Sequence, residues 1–153
     1  MGLGGAMKTL LTSIQALLKT ELDYVRGVAI VPDFFIFPEE AGFPLIGILD
    51  NGDEVSGREK GARIERLRVS IGFYQAIAKP EASVIGDARN KGILEIRDDA
   101  MNALRDESFG NAYLVPFYIG GSKVQALETR DYEGFVAFKS IDLEYLKEVV
   151  EST

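Results

Sequence analysis

Any chemistry in this chain must run on carboxylates, Lys, Arg, Tyr or Ser, because it contains neither cysteine nor histidine. A disulfide framework, a Cys/His zinc site, a thiol nucleophile and a Ser-His-Asp triad are therefore excluded. Glu95, Asp98 and Asp99 are three and four positions apart in a helical pattern, a spacing that can put two carboxylates on one face for a hard cation such as Mg²⁺. Lys91, Arg97 and Arg105 are interleaved with them, and such a mixture reads better as a solvated face. Asp50, Asp53 and Glu54 could hold Ca²⁺, but the segment lacks the alternating ligands and closing Glu of an EF-hand, so an acidic turn is the simpler reading. Gly52 to Arg58 has the glycines of a phosphate loop without its Gly-Lys-Ser/Thr ending, and Gly120-Gly121-Ser122-Lys123 is too short to count. Acidic residues could supply a glycosidase-like pair, yet nothing in their order says which two would face each other. Arg66, Arg68 and Tyr74 could line a binding face, against the simpler reading of a solvated sheet face.

The element that must carry those last three residues is the most regular in the chain. From Arg63 to Lys79, Leu67, Val69, Ile71, Phe73 and Ile77 alternate with Arg66, Arg68, Ser70, Gly72, Tyr74 and Ala76. A period of two means a strand with one core face and one wet face. About 14 residues at ~3.3 Å each would reach some 45 Å, so such a strand should project beyond a small domain or pair with another subunit.

Around it, residues 1–6 read as a small, mobile, Gly-rich arm. Lys8 to Leu22 forms a helix with Leu10, Leu11, Ile14, Leu17, Leu18 and Leu22 on one stripe. Val28–Val31 and Leu45–Leu49 are short strands. Between them Phe34, Phe35, Phe37 and Phe43 sit among three prolines, either as an aromatic loop over the core or as a contact patch for a neighbouring subunit. Residues 50–65 are polar and Gly-rich, and read as a long flexible hairpin tip, a length more often functional than ornamental. Ala82 to Leu104 reads as helical with a break near Asn90–Gly92. Tyr113–Ile119 reads as an edge strand because of Pro116, and Val124–Arg130 and Phe135–Lys139 as a strand pair. Leu143–Val150 reads as a last helix capped by Ser140 or Asp142. The pattern predicts one α+β domain spanning the chain.

At 153 residues, 46% hydrophobic and 27% charged, the composition is that of an ordinary globular domain. Seventeen basic against 24 acidic residues leave a net charge of −7, which argues against a general nucleic-acid-binding surface. No apolar run approaches the ~18–20 residues needed to span a membrane. The first twenty residues make a poor signal peptide, so the expected site of synthesis and use is a cytoplasm.

The order of segments resembles the tail-terminator, or tail-completion, proteins of long-tailed bacteriophages and prophages. The likeness runs through Thr9–Leu22 (TLLTSIQALLKTEL), Phe43–Glu54 (FPLIGILDNGDE), Leu67–Ala78 (LRVSIGFYQAIA) and Ala82–Leu104; the Phe-Pro-Leu-Ile-Gly-Ile strand and the Val-Ile-Gly-Asp and Lys-Gly-Ile-Leu pieces of the helix after the long strand are the most recognisable. It covers about Met7 to Leu104, and the C-terminal third carries none of it. These are patterns of apolar and glycine residues, not a catalytic signature. The resemblance implies a mixed or antiparallel sheet of four to six strands, with the N-terminal helix and a central helix packed on one face. It also implies a hexameric ring of identical chains that caps the tail tube, ends its polymerisation and offers a surface to head-completion proteins. It implies no enzyme activity, no cofactor, no metal and no sequence-specific nucleic-acid contact, with assembly in the host cytoplasm and residence in the virion tail. The residues expected at the subunit or partner interface are Phe34, Phe35, Phe37, Asp53, Glu54, Arg58, Lys60, Arg63, Arg66 and Arg68. The alternative is a small-ligand-binding α+β domain or a carboxylate-dependent enzyme.

Overall fold

A computed structural model describes residues 3–36, 42–59, 62–128 and 134–150. Chain order is α1 (Leu3–Glu21), β1 (Gly27–Ile30), β2 (Leu45–Glu59), β3 (Ala62–Ala76), α2 (Pro80–Ile85), α3 (Ile93–Leu104), β4 (Phe117–Gly121), β5 (Gln125–Glu128) and β6 (Phe135–Val150). The strands form one mixed sheet in the order β1-β2-β3-β6-β4, with β5 also pairing β6. Among the described strands, β1 and β2 pair in parallel and the other pairs are antiparallel. The fold is α+β with an open sheet, as the resemblance implies.

The alternation in β3 sets the layers. Leu67, Val69, Ile71 and Phe73 point inward, beside Ile46 and Ile48 of β2 and Ile141, Leu143 and Tyr145 of β6. Onto this face pack Leu10, Ile14 and Leu18 of α1 and Ile93, Ile96, Ala100 and Leu104 of α3, all buried. Burying a side chain of this size is worth roughly 1.5–3 kcal/mol, so this layer carries most of the apolar stabilisation.

Four expectations are corrected. The N-terminal arm is not an arm from Leu3 onward: α1 starts there, five residues before Lys8. Met7 is buried and the Ala6 carbonyl accepts a hydrogen bond from Tyr113 Oη at 2.9 Å, contacts that override the poor helix propensity of glycine. Residues 50–65 are not a loop. Apart from Lys60 and Gly61, which lie outside the described residues, they are the far halves of β2 and β3. Two register shifts, Asp50/Asp53 and Ser56/Glu59, absorb Gly52 and Gly57, whose φ of +103° and +70° suits bulges. Leu143–Val150 is not a helix but the far half of β6, paired with β3 out to Ala62↔Val150. Finally, the outer face of β3 is not wholly wet, since Ser70, Gly72 and Tyr74 are buried there.

The cover over that half is the aromatic segment. Phe34 packs on Phe138 with ring centroids 5.3 Å apart, and Phe138 on Tyr74 at 5.0 Å. Tyr74 Oη donates to the Phe34 carbonyl at 2.6 Å. Gly72 makes room: a methyl group there would lie 2.8 Å from both phenyl rings. Leu45, Tyr74, Val136 and Phe138 form a second, smaller core on this side.

Candidate functional site

Past Leu67 the apolar inner stripe of β3 gives way to Glu65 and Arg63, and β2, β3 and β6 run on together to their far ends. The five residues from Leu67 back to Ala62 add about 17 Å at 3.3 Å each. Central β3 pairs with β6 without a break along this length and with β2 apart from the Ser56/Glu59 register shift, so the polar side chains stand on a paired ladder.

On the outer face the register sets Glu54 beside Arg66, and Arg68 beside Glu144. Glu144, largely buried, receives one guanidinium on each oxygen: Arg66 Nη1 at 3.2 Å and Arg68 Nε at 3.3 Å. Glu54 Oε1 lies 3.8 Å from Arg66 Nε and 3.7 Å from Arg68 Nη2. Ser56 Oγ accepts from Arg66 Nε at 3.4 Å, and Ser70 Oγ donates to Asp142. Two cations and two anions cancel, and each exposed pair is worth at most about 1 kcal/mol. The ladder fixes strand register and offers no net charge to an anion or a cation.

On the inner face near the base of the ribbon, Glu65 is buried beside Arg63, with Nη2 and Oε1 3.9 Å apart. Glu65 Oε2 and the hydroxyl of fully buried Tyr145 have no hydrogen-bond partner among the described residues. Tyr113, Tyr145 and Phe109 pack edge-to-face or tilted around them. Burial pushes the hydroxyls of Tyr145 and Tyr113 up from 10.0, with smaller contributions from the charges of Glu107 and Glu65 respectively. A buried hydroxyl with no partner is a cost. Tyr145→Phe should therefore raise stability by about 1 kcal/mol in urea unfolding. A comparable loss instead would identify a bound water or ligand on that oxygen.

The predicted interface residues separate. Glu54, Arg66 and Arg68 share the outer ladder, while Asp53 is exposed next to Glu54 on β2. Arg63 is on the inner face. Arg58 is a position near the end of β2, and Phe37 and Lys60 lie outside the described residues. Of the remaining aromatics, Phe34 is packed inward as cover over the core, as one reading of that segment expects, and Phe35 is 73% exposed.

The candidate metal ligands do not converge. Glu95 Oε1 accepts from the Gly92 N–H at 3.1 Å, Asp98 pairs with Arg97 at 2.9 Å, and Asp99 Oδ2 takes Tyr24 Oη at 2.6 Å and Lys91 Nζ at 3.3 Å. Asp50 Oδ1 accepts from Gly52 N in a turn. No group of three or more acidic residues that could hold a metal occurs among the described residues, and no described helix is long and apolar enough to cross a membrane.

Two features were not foreseen. Glu144, the keystone of the ladder, lies in a segment that reads as a helix, and only the β3–β6 register brings it to Arg66 and Arg68. The second is an apolar surface at the edge of the sheet, where Leu114, Val115, Phe117, Tyr118 and Ile119 are all exposed. Its signal was present as an uncharged run from Asn111 to Ser122. Compared with known proteins, the chain matches no family model and no curated sequence.

Proposed function

We propose that this protein is a structural component of a phage or prophage tail, forming a ring that caps the tail tube, ends tube polymerisation and supplies the surface for head joining. The observation that carries the reading is the β2–β3–β6 ribbon, which runs about 17 Å past the last inward core residue of β3 and bears charged side chains on both faces. A lone domain gains little stability from such an extension, whereas a subunit gains reach. The neutral ladder and the net charge of −7 suit a ring that DNA passes without being held. The partners on this reading are further copies of the chain, a tail tube protein and a head-completion protein, with no catalysis and no cofactor.

Light scattering across protein concentration should give one closed species of six times the 16.8 kDa chain. The same preparation added to polymerising tube protein should cap and shorten the tubes in electron micrographs. A strict monomer that leaves tube length unchanged would sink the proposal. The small-ligand alternative has one observation in its favour, the unpaired oxygens of Glu65 and Tyr145, and the Tyr145→Phe measurement above decides whether anything binds there.

A further inference from the structure

We infer that neighbouring copies meet through two different surfaces: the β4 edge of one copy seats against Phe35 and Ile36 of the next. This rests on the ring reading and names its contact. β4 ends the strand order, pairs only with β6, and exposes Leu114, Val115, Phe117 and Ile119. An apolar strand at an open edge is a template for association unless something covers it. The opposite edge, β1, is defended: Gln15 Nε2 of α1 donates to the Val28 carbonyl at 2.9 Å. The other exposed apolar pair close in sequence is Phe35 and Ile36, held up on the outer face by Phe34 beneath and by the Asp33 Oδ1 bond from the Phe35 N–H at 2.7 Å.

Charge selects the pairing. In a chain of net charge −7, copies approach most easily where charge is absent, and both Asn111–Ser122 and Phe34–Phe37 are uncharged runs. The rims differ. β4 is bordered by exposed Lys123, while Arg97, stacked on the Tyr118 ring at 5.2 Å, is neutralised by Asp98 at 2.9 Å. Phe35 is bordered by exposed Asp33. Two β4 edges brought together around a two-fold axis would oppose like charges, whereas β4 against Phe35 opposes unlike ones. The seven exposed apolar side chains of the two patches amount to roughly 700 Å², each contributing on the order of 100 Å². With a polar rim that approaches the ~1,200 Å² at which specific interfaces begin.

A contact between unlike surfaces has a signature that a two-fold contact lacks. Phe117→Arg and Phe35→Arg each replace an exposed side chain, so both variants should fold, as circular dichroism would check. Each alone should be monomeric by light scattering at concentrations at least tenfold above those at which the parent assembles. An equimolar mixture should give dimers and stop there, because each such pair retains one intact contact and no more. Ile119→Arg in place of Phe117→Arg should behave the same way. If the parent forms a closed ring and Phe35→Arg still assembles like it, or the mixture stays monomeric, the surface assignment is wrong and the ring stands. If the parent forms only a two-fold dimer or stays monomeric, the ring itself is wrong and the assignment falls with it.

Discussion

Between pH 10 and pH 11 the protein should lose about 2 kcal/mol of stability, a large share of what a domain of ordinary stability has. Tyr74 and Tyr145 are fully buried and Tyr113 nearly so. Burial raises all three hydroxyls above 10.0, reinforced by the charges of Asp33, Glu107 and Glu65 respectively. The sign follows from proton counting. Below pH 10 both the folded and the unfolded chain hold these protons, and the tyrosines contribute no pH dependence. Above it the unfolded chain releases them while the folded chain keeps them. The folded state then binds more protons, and stability falls as pH rises until the folded-state values are reached. Integrated from pH 10 to pH 11, each group that keeps its proton in the folded state contributes about 1 kcal/mol, so Tyr74 and Tyr145 give about 2, and Tyr113 adds in the same direction. Urea midpoints at pH 9, 10 and 11 test this. Tyr145→Phe should remove up to about half of the slope, because its oxygen has no hydrogen-bond partner among the described residues whose loss would confuse the comparison. A flat profile, or one that Tyr145→Phe leaves unchanged, would mean that these hydroxyls ionise inside the folded protein.

The parts of the fold legible in the sequence are those where one periodicity has no rival. β3 alternates over its whole buried length, and α1 carries six apolar residues at helical spacing, so both stand out. The C-terminal strand does not. In IDLEYLKEVV, Ile141, Leu143 and Tyr145 alternate, but Leu143, Leu146 and Val150 also fit a helical stripe, and a run this short cannot decide between them. The decision comes from β3, whose far half needs hydrogen-bond partners on both sides. The same cause hid the ribbon. Asp50 to Glu65 looks like a loop by composition, because both of its faces are polar and only the ladder makes it a strand. Candidate site residues chosen by composition therefore landed on both faces. Arg66 and Arg68 stand out in the alternation of β3, whereas Glu144, which pairs with both, lies 76 positions from Arg68 and meets it only through the register of β3 with β6. Phe34 and Phe35 are adjacent and alike in type, and their opposite fates follow from Gly72, which alone leaves space for one ring.

Gly92→Ala should cost about 3 kcal/mol or more, at the upper end of what overpacking does. The reason is proximity, not backbone conformation, since Gly92 has φ −85°. A methyl group there would lie 2.3 Å from Gly86 N, 2.6 Å from the Val84 carbonyl oxygen and 2.7 Å from the Ile85 carbonyl carbon. All three are main-chain atoms at the end of α2, so no side chain can swing aside. Gly86 answers from the other side: at φ +84° it caps α2, and a methyl group on it would fall 1.6 Å from Glu95 Oε1, the oxygen that accepts the Gly92 N–H. The two glycines thus let the ends of α2 and α3 touch, and Gln75 Nε2 ties the joint to the sheet through the Lys91 carbonyl at 2.7 Å. Relaxing the clash requires moving α3, which buries Ile93, Ile96 and Leu104 in the core and holds Arg97 against Tyr118 beside the β4 edge. Gly52→Ala is the control: it has open space and only a φ of +103° to strain, so about 1 kcal/mol is expected. Urea unfolding of both variants separates the two mechanisms. A Gly92→Ala protein as stable as Gly52→Ala would mean that α2 and α3 do not meet as closely as this. A destabilised Gly92→Ala protein that still folds should also assemble more weakly than its folded fraction predicts, because the shift in α3 reaches the β4 surface through Arg97.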